Sequence, residues 1–143
     1  MAFFQYASEP GTTDFRNIQM LLAIFAILGH VYPIFVGFEG GKGIATLLGS
    51  MVGISWPVSV LFVVVFVLTV LLTRYISLGS ILGCLFSPFF VWFRYGQDDK
   101  FFIYFCAIVA IMAVYTHRTN IKRLWLGSES KFNFNSKPEI SSS

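Results

Sequence analysis

The sequence predicts an all-α integral membrane protein that crosses the lipid bilayer several times. Of its 143 residues, 56% are hydrophobic and 18% aromatic, whereas only 12% are charged. The chain has 17 Phe, more than a small water-soluble domain can bury. Apolar runs without Lys, Arg, Asp or Glu alternate with short polar breaks along most of the chain. Lipid is therefore the solvent that fits this composition.

Five apolar runs predict five helical segments, at residues 18–38, 44–54, 58–72, 76–93 and 101–115. A spanning helix needs about 17 to 25 residues, so the first and fourth runs suffice alone and the third and fifth need their flanks. The second run is a half-helix or the start of a long bent helix. Pro57 marks the boundary before the third run. We therefore expect about four spans and one half-helix in a membrane domain over residues 1–127.

The distribution of positive charge predicts the orientation of these segments. With five segments, the Gly-rich loop 40–43 and the chain after Thr116 lie on the same side of the membrane. Cytoplasmic loops carry an excess of Lys and Arg, so the more basic side is expected to be the cytoplasm. That side carries Lys42, Arg74, Arg118, Lys122, Arg123, Lys131 and Lys137, and the other side Arg16, Arg94 and Lys100.

Small and polar residues refine this picture. Gly49 with Gly53, and Gly79 with Gly83, have the GxxxG spacing that lets membrane helices approach closely. Residues 128–143 are rich in Ser and Asn, which predicts a disordered cytoplasmic tail in which Lys131 matters little. Residues 1–7 look like the end of an apolar helix that begins earlier, so we expect a preceding segment.

Several classes of site are disfavoured. Cys84 and Cys106 lie in apolar runs without a CxxC motif or a third thiol, so a disulfide framework has little support and no metal is expected. The positive residues form no basic stripe interleaved with exposed aromatics, which disfavours nucleic acid as a partner.

A glycine-rich loop at the start of the second segment is the first candidate site. Gly40, Gly41 and Gly43 surround Lys42, and Thr46 follows on the helix. Glycines can turn backbone N–H groups into one concavity, and a helix N-terminus adds a positive end, so the loop suits a phosphate. The loop is not a Walker A motif, because that motif has Ser or Thr after the Lys and this chain has Gly43, which disfavours ATP or GTP as the ligand.

A second candidate site follows the last apolar run. On a helix, His117, Asn120 and Ile121 share one face, so that His and Asn can meet a polar ligand. Arg118 belongs to the same basic stretch. Its positive charge is also explained if this stretch is an ordinary basic flank of a membrane helix on the cytoplasmic side. In the first run, His30 lies three residues before Pro33. Either its ring bonds a carbonyl freed by Pro33, which we favour, or it contacts substrate.

These two stretches resemble motifs of the bacterial acyl-phosphate:glycerol-3-phosphate acyltransferases, a family of seven-span enzymes. Gly-His-Val-Tyr-Pro-Ile-Phe, then Gly-Gly-Lys-Gly-Ile-Ala-Thr, is similar to the second family motif. Thr-His-Arg-Thr-Asn-Ile-Lys-Arg-Leu, with Gly127 and Glu129, is similar to the third. The family's first motif, a Ser-Gly-Asn-rich loop followed by an Arg, is not found in the chain. The resemblance thus covers the last five of seven spans, and we expect residues 1–143 alone to be inactive.

The resemblance implies the following activity and site. Long-chain acyl-phosphate and glycerol 3-phosphate are the expected substrates, in a bacterial inner membrane with the site facing the cytoplasm and no cofactor. The expected catalytic residues are His117, Asn120 and Lys42. The residues expected to bind substrate phosphate are Gly40, Gly41, Lys42, Gly43, Thr46 and Arg118. His30 and Pro33 shape the loop.

Direct transfer between the two substrates fits these residues, because orientation and electrostatics supply most of the catalysis required. His117 either donates to an oxyanion or relays a proton, and the substrate phosphate is an alternative base. A coenzyme A enzyme of the His-x4-Asp type is disfavoured, since Phe35 and Lys122 stand where its Asp would be. The alternatives are a small transporter that binds an anion at the Gly-rich loop and a membrane scaffold that uses the GxxxG faces.

Overall fold

Six α-helices form the part of the chain that the computed structural model describes, residues 13–33, 40–96 and 99–133. They are α1 Thr13–Val31, α2 Ile44–Ile54, α3 Trp56–Thr73, α4 Ile76–Tyr95, α5 Lys100–Thr116 and α6 Arg118–Trp125. The predicted all-α membrane architecture is confirmed. The sixth helix, α6, was not predicted as a separate segment.

Two of these helices, α3 and α4, are long and apolar enough to cross a membrane, and α5 qualifies together with α6 across a 61° bend. Helices α1 and α2 are shorter apolar helices. The predicted four spans and one half-helix are therefore reached only if α1 also crosses. The first predicted run extended to residue 38, but α1 ends at Val31, because the residue before Pro33 is disfavoured in a helix. Residues 34–39 lie outside the described residues.

The break between α2 and α3 lies where Pro57 predicted it. Ser55 has extended backbone angles (φ −160°, ψ 98°), and Pro57 lies in the first turn of α3, where its missing N–H costs nothing. The Ser55 hydroxyl shares a hydrogen bond of 3.0 Å with the Tyr95 hydroxyl at the end of α4. This bond ties the break to a neighbouring helix.

Helix α4 packs against both α3 and α5, and α1 packs against α2 and α5. A Cβ added at Gly83 would lie 2.8 Å from the Phe62 ring, and one at Gly79 would lie 3.0 Å from the Phe66 backbone oxygen. The close packing predicted for this GxxxG pair is thus confirmed. At Gly49 and Gly53 an added Cβ would meet no atom within 4 Å among the described residues, so that pair makes no such approach there.

The helices run back and forth, so their ends collect at two opposite ends of the bundle. The first end holds the C-termini of α1, α3 and α5 and the N-termini of α2 and α4, and we call it the cavity end. The far end is closed by an ion pair of 2.6 Å between Arg16 and Asp99. Cys84 and Cys106 are free and buried in the core between the two ends, as predicted.

Candidate active site

An open cavity of about 880 Å³ lies at the cavity end of the bundle. Both sequence motifs reach it: Gly41, Lys42 and Gly43 from the loop before α2, and His117 and Asn120 from the junction of α5 and α6. The Thr116 hydroxyl also donates to the Lys42 carbonyl, at 3.4 Å. The prediction that the Gly-rich loop and the chain after Thr116 share one side is therefore confirmed.

The conformation of the Gly-rich loop depends on glycine at three positions, where a side chain would collide with its neighbours or strain the backbone. Gly43, the N-cap of α2, has φ 78° in the left-handed region that favours glycine. A Cβ at Gly41 would collide with Nε2 of His30, and one at Gly40 would collide with the backbone oxygens of His30 and Val31. Pro33 lies against the same spot, with its Cδ 2.6 Å from the position of a Gly40 Cβ. The loop thus fits tightly over the end of α1 and leaves Lys42 exposed.

His30 and Thr46 differ from their expected places, because His30 lines the cavity and Thr46 does not. Thr46, predicted to bind substrate, is absent from the cavity lining, and its hydroxyl is hydrogen-bonded to Nδ1 of His30 at 3.1 Å. His30, predicted as a loop-shaping residue bonded to a carbonyl, lines the cavity and makes its ring bond to this hydroxyl. Thr46 therefore orients His30, and His30 is the one of the two that lines the cavity.

His117 is held in a fixed orientation at the bend between α5 and α6. Its side chain is buried, and its Nδ1 lies 2.8 Å from the Ala113 carbonyl oxygen. A carbonyl oxygen only accepts hydrogen bonds, so Nδ1 carries a proton. In the neutral ring, Nε2 then has a free lone pair, and it is the nitrogen left to meet a ligand as an acceptor.

Asn120 is held by a carboxylate in the same wall. Its amide Nδ2 donates to Oε1 of Glu129 at 2.7 Å, and the Ser77 hydroxyl donates to the same oxygen at 2.7 Å. Asn120, Glu129 and Ser77 are all buried. Because Glu129 engages only one of the two amide hydrogens, the Asn120 side chain is left with its carbonyl oxygen as an acceptor and one N–H as a donor.

Glu129 is an ionised group in this wall. The hydrogen bonds from Asn120 and then from Ser77 lower the pKa of its carboxyl below the ordinary 4.5, and the charges of Lys42 and Arg123 act in the same direction against burial. Its second oxygen, Oε2, is buried and has no hydrogen-bond partner among the described residues. That oxygen is an unused acceptor beside the cavity.

A smaller cavity of about 300 Å³ adjoins the loop on its other side, and Arg118 lines it with Gly40 and Lys42. The Arg118 guanidinium lies 4.6 Å from the Tyr115 ring centroid and donates to the Tyr115 carbonyl at 3.1 Å. Arg118 and Gly40, both predicted to bind phosphate with the others, are thus absent from the lining of the large cavity. Lys42 borders both spaces.

Residues 128–133 are the described part of the stretch that we predicted to be a disordered tail. Glu129 in this stretch is buried, and Ser130 and Lys131 line the large cavity. Residues 134–143 lie outside the described residues. Sequence reasoning also missed Ser77 and Ser80, which line the cavity from the first turns of α4. Of these cavity residues, only Glu129 was signalled by the sequence, as part of the stretch that is similar to the third family motif.

No group of three or more His, Cys, Asp or Glu that could hold a metal ion occurs within residues 13–33, 40–96 and 99–133. The polar side chains around the cavity are instead two Lys, two His, one carboxylate, two carboxamides and hydroxyls. Such a set can bind an anion and orient a hydroxyl group.

Comparison with known proteins adds to this geometry. Residues 2–127 match the model of the family described as glycerol-3-phosphate acyltransferase. The chain is 45% identical over 111 residues to a glycerol-3-phosphate acyltransferase of Proteus mirabilis, an alignment that covers 78% of the chain and 49% of the relative. It is 36% identical to one of Chlorobaculum tepidum, with 96% and 68% covered. The chain thus spans about half to two thirds of the length of these curated relatives.

Solved structures show the same likeness. The crystal structure of PlsY (YgiH), an integral membrane glycerol 3-phosphate acyltransferase, in its glycerol 3-phosphate form, matches with a TM-score of 0.72 and 32% identity. The match covers 80% of this chain and 57% of that one. The lysophosphatidic acid form of PlsY gives the same TM-score and identity.

Proposed function

The chain belongs to the glycerol-3-phosphate acyltransferase family, and we propose that it transfers a fatty acyl group from acyl-phosphate to the 1-hydroxyl of glycerol 3-phosphate. The products are lysophosphatidic acid and inorganic phosphate. One observation carries this proposal: Lys42 and the pair His117 and Asn120 come from two distant motifs and line one cavity. The PlsY crystal structures, in glycerol 3-phosphate and lysophosphatidic acid forms, support the same substrate class.

In the proposed site, Lys42 and the N–H groups at the start of α2 bind a substrate phosphate. Within the described part of the chain, Gly43 begins that helix without a side-chain cap, and the first N–H groups of a helix have no partner within the helix itself. His117 Nε2 and Asn120 Oδ1 accept hydrogen bonds from the glycerol hydroxyls. Both side chains are prevented from rotating by bonds on their other atoms, to Ala113 and to Glu129. The reacting hydroxyl is thereby oriented before reaction.

The reaction balances without a covalent enzyme intermediate. The hydroxyl oxygen attacks the acyl carbonyl carbon, the new ester bond forms, and the bond from that carbon to the phosphate oxygen breaks. The hydroxyl loses one proton and the departing phosphate gains one, either directly or through His117. No residue therefore changes its protonation state over one turnover, and the proposal needs no metal or cofactor.

We place the cavity end at the cytoplasmic face of a bacterial inner membrane. The helix directions put Lys42, Arg74, Arg118, Lys122, Arg123 and Lys131 at the cavity end and Arg16, Arg94 and Lys100 at the far end. This asymmetry follows the positive-inside rule. The exposed apolar side chains of α3, α4 and α5 then face membrane lipid.

The experiment follows labelled glycerol 3-phosphate into lysophosphatidic acid in membranes, with palmitoyl-phosphate or palmitoyl-coenzyme A as donor. It is run on the chain alone and on the chain co-expressed with the part of the Proteus mirabilis relative that it does not cover. We expect product with palmitoyl-phosphate in the co-expressed sample, no product from residues 1–143 alone, and no loss of activity with EDTA. Product from the coenzyme A ester alone would contradict the donor, and no product in any sample would contradict the activity.

The transporter alternative makes a different prediction. Vesicles that contain the chain would take up glycerol 3-phosphate or phosphate without any acyl donor. The matched family and relatives are acyltransferases, so transport is not favoured. Uptake of either compound without product formation would support the transporter alternative.

A further inference from the structure

The segment after α6 is fastened across the large cavity, and we call residues 129–133 the strap. Its first residue, Glu129, accepts hydrogen bonds of 2.7 Å from Ser77 and from Asn120. Near its other end, the Phe132 backbone N–H donates to the Arg74 carbonyl at 2.7 Å. Anchors on both sides hold the intervening Ser130 and Lys131 against the cavity. The strap is thus one wall of the site.

Lys131 is kept close to this wall by an aromatic ring. Its Nζ lies 5.7 Å from the centroid of the Tyr75 ring, which is within the range of a cation–π interaction. Tyr75 precedes α4, the helix that supplies Ser77 and Ser80 to the cavity. Lys131 is exposed and lines the cavity.

The charged side chains in the described lining of the cavity have a net positive charge only when Lys131 is counted. The charged residues in the described lining are Lys42, Lys131 and Glu129, together with the titratable His30 and His117. Lys42 and Lys131 are cations and Glu129 is an anion, so the sum over these three side chains is one positive charge. Without Lys131 the sum is zero. A phosphate monoester carries up to about two negative charges near neutral pH, so a cavity without net charge would hold it poorly.

We propose that Lys131 is a second phosphate-binding cation of this site, carried to the cavity by the strap and opposing the charge of Glu129. The proposal rests on the proposed function and adds a binding residue to it. It also replaces the expectation that Lys131, as part of a disordered tail, matters little.

The test measures binding of glycerol 3-phosphate to the purified chain in detergent, with glycerol as the uncharged control ligand. Lys131→Gln removes the charge, and Lys131→Arg retains it. Lys122→Gln is the matched control, because Lys122 is an exposed cation of α6 that is absent from the cavity lining. We expect the Kd to rise about fivefold for Lys131→Gln and to stay within about twofold of the parent for the other two variants.

Three results would overturn the proposal. A Kd for Lys131→Gln within about twofold of the parent removes Lys131 from the site and leaves the proposed function standing. Equal weakening by Lys131→Gln and Lys131→Arg indicates packing rather than charge. If the parent chain binds neither glycerol 3-phosphate nor inorganic phosphate, the proposed phosphate site fails, and the role of Lys131 fails with it.

Discussion

The two ends of the helix bundle both contain polar groups but use them differently. At the far end Arg16 pairs with Asp99, and Ser55 pairs with Tyr95. The Arg16 Nε has no hydrogen-bond partner among the described residues, yet the guanidinium lies 5.6 Å from the centroid of the Phe102 ring. The far-end side chains are therefore directed at one another.

At the cavity end the polar side chains are only partly used. His117 binds Ala113 through one nitrogen, and Asn120 binds Glu129 through its amide nitrogen. Glu129 has a buried oxygen without a partner in the described part of the chain. One atom of each group fixes the side chain, and another remains for a ligand. Several incompletely paired side chains around one cavity thus distinguish the candidate site from the far end, where Arg16 Nε alone is buried without a partner among the described residues, a difference that mutation can test.

The largest effect is expected from Lys42→Ala at the cavity end. Removing an electrostatic contact to a reacting group costs on the order of 10²-fold in rate, so acyl transfer should fall by about that factor. The measurement is the initial rate with palmitoyl-phosphate in the co-expressed sample described above. Lys122→Ala, which removes an exposed cation from α6, should retain the parent rate. Equal rates for the two variants would remove Lys42 from the site.

A smaller effect is expected from Glu129→Gln, which keeps the side-chain size but removes the charge. Hydrogen bonds to a charged acceptor are worth about 1.5 to 3 kcal/mol, and their weakening should loosen Asn120 and lower the rate roughly tenfold. Asp99→Asn removes a carboxylate at the far end and should leave the rate within about twofold. A larger loss of rate for Asp99→Asn than for Glu129→Gln would contradict the proposed difference between the two ends.

Glu129 should also leave a signature in the pH dependence of stability. Because its pKa in the folded protein lies below 4.5, its ionised form stabilises the fold above that pH. This contribution is lost as the pH falls through the lowered pKa. Unfolding midpoints of the parent chain should therefore drop on acidification in this range, and Glu129→Gln should show a smaller drop. Parallel curves for the two proteins would contradict the assigned shift.

The smallest effect on activity is expected at the far-end ion pair. Arg16 and Asp99 are 24% and 13% exposed, so their coupling should exceed that of a surface pair without reaching that of a buried one. Arg16→Ala should lower the unfolding midpoint and leave the Kd for glycerol 3-phosphate unchanged. The double variant with Asp99→Ala should be less destabilised than the sum of the single variants. Additive losses would show that the pair does not act as a unit.

Much of the fold was predictable because membrane helices are specified locally. Uninterrupted apolar runs located α3, α4 and α5, and Pro57 located the break before α3. The count of segments placed Lys42 and His117 on one side, although they lie far apart in sequence. These inferences need only periodicity, proline stereochemistry and charge counting.

The remaining features depend on contacts between distant residues. Ser77 and Glu129 are separated by 52 positions, and no local pattern connects them. The Ser-rich composition after Gly127 predicted disorder, whereas Glu129 and the Phe132 backbone fasten residues 129–133 to α4, α6 and the turn before α4. The exchange between Thr46 and His30 depends on the tight fit of Gly41 over the His30 ring, which requires three-dimensional information.

The central claim is that the two motifs form one anion-binding cavity at one face of the membrane. Single cysteines at Ala45 and Ser130, both exposed and lining that cavity, test it directly with a membrane-impermeant maleimide in oriented vesicles. We expect both to be labelled from the cytoplasmic side, with labelling of both slowed by glycerol 3-phosphate but not by glycerol. A cysteine at Lys100, at the far end, should react only from the opposite side, without protection. Labelling of Ala45 and Ser130 positions from opposite sides, or no protection at either, would contradict a shared site.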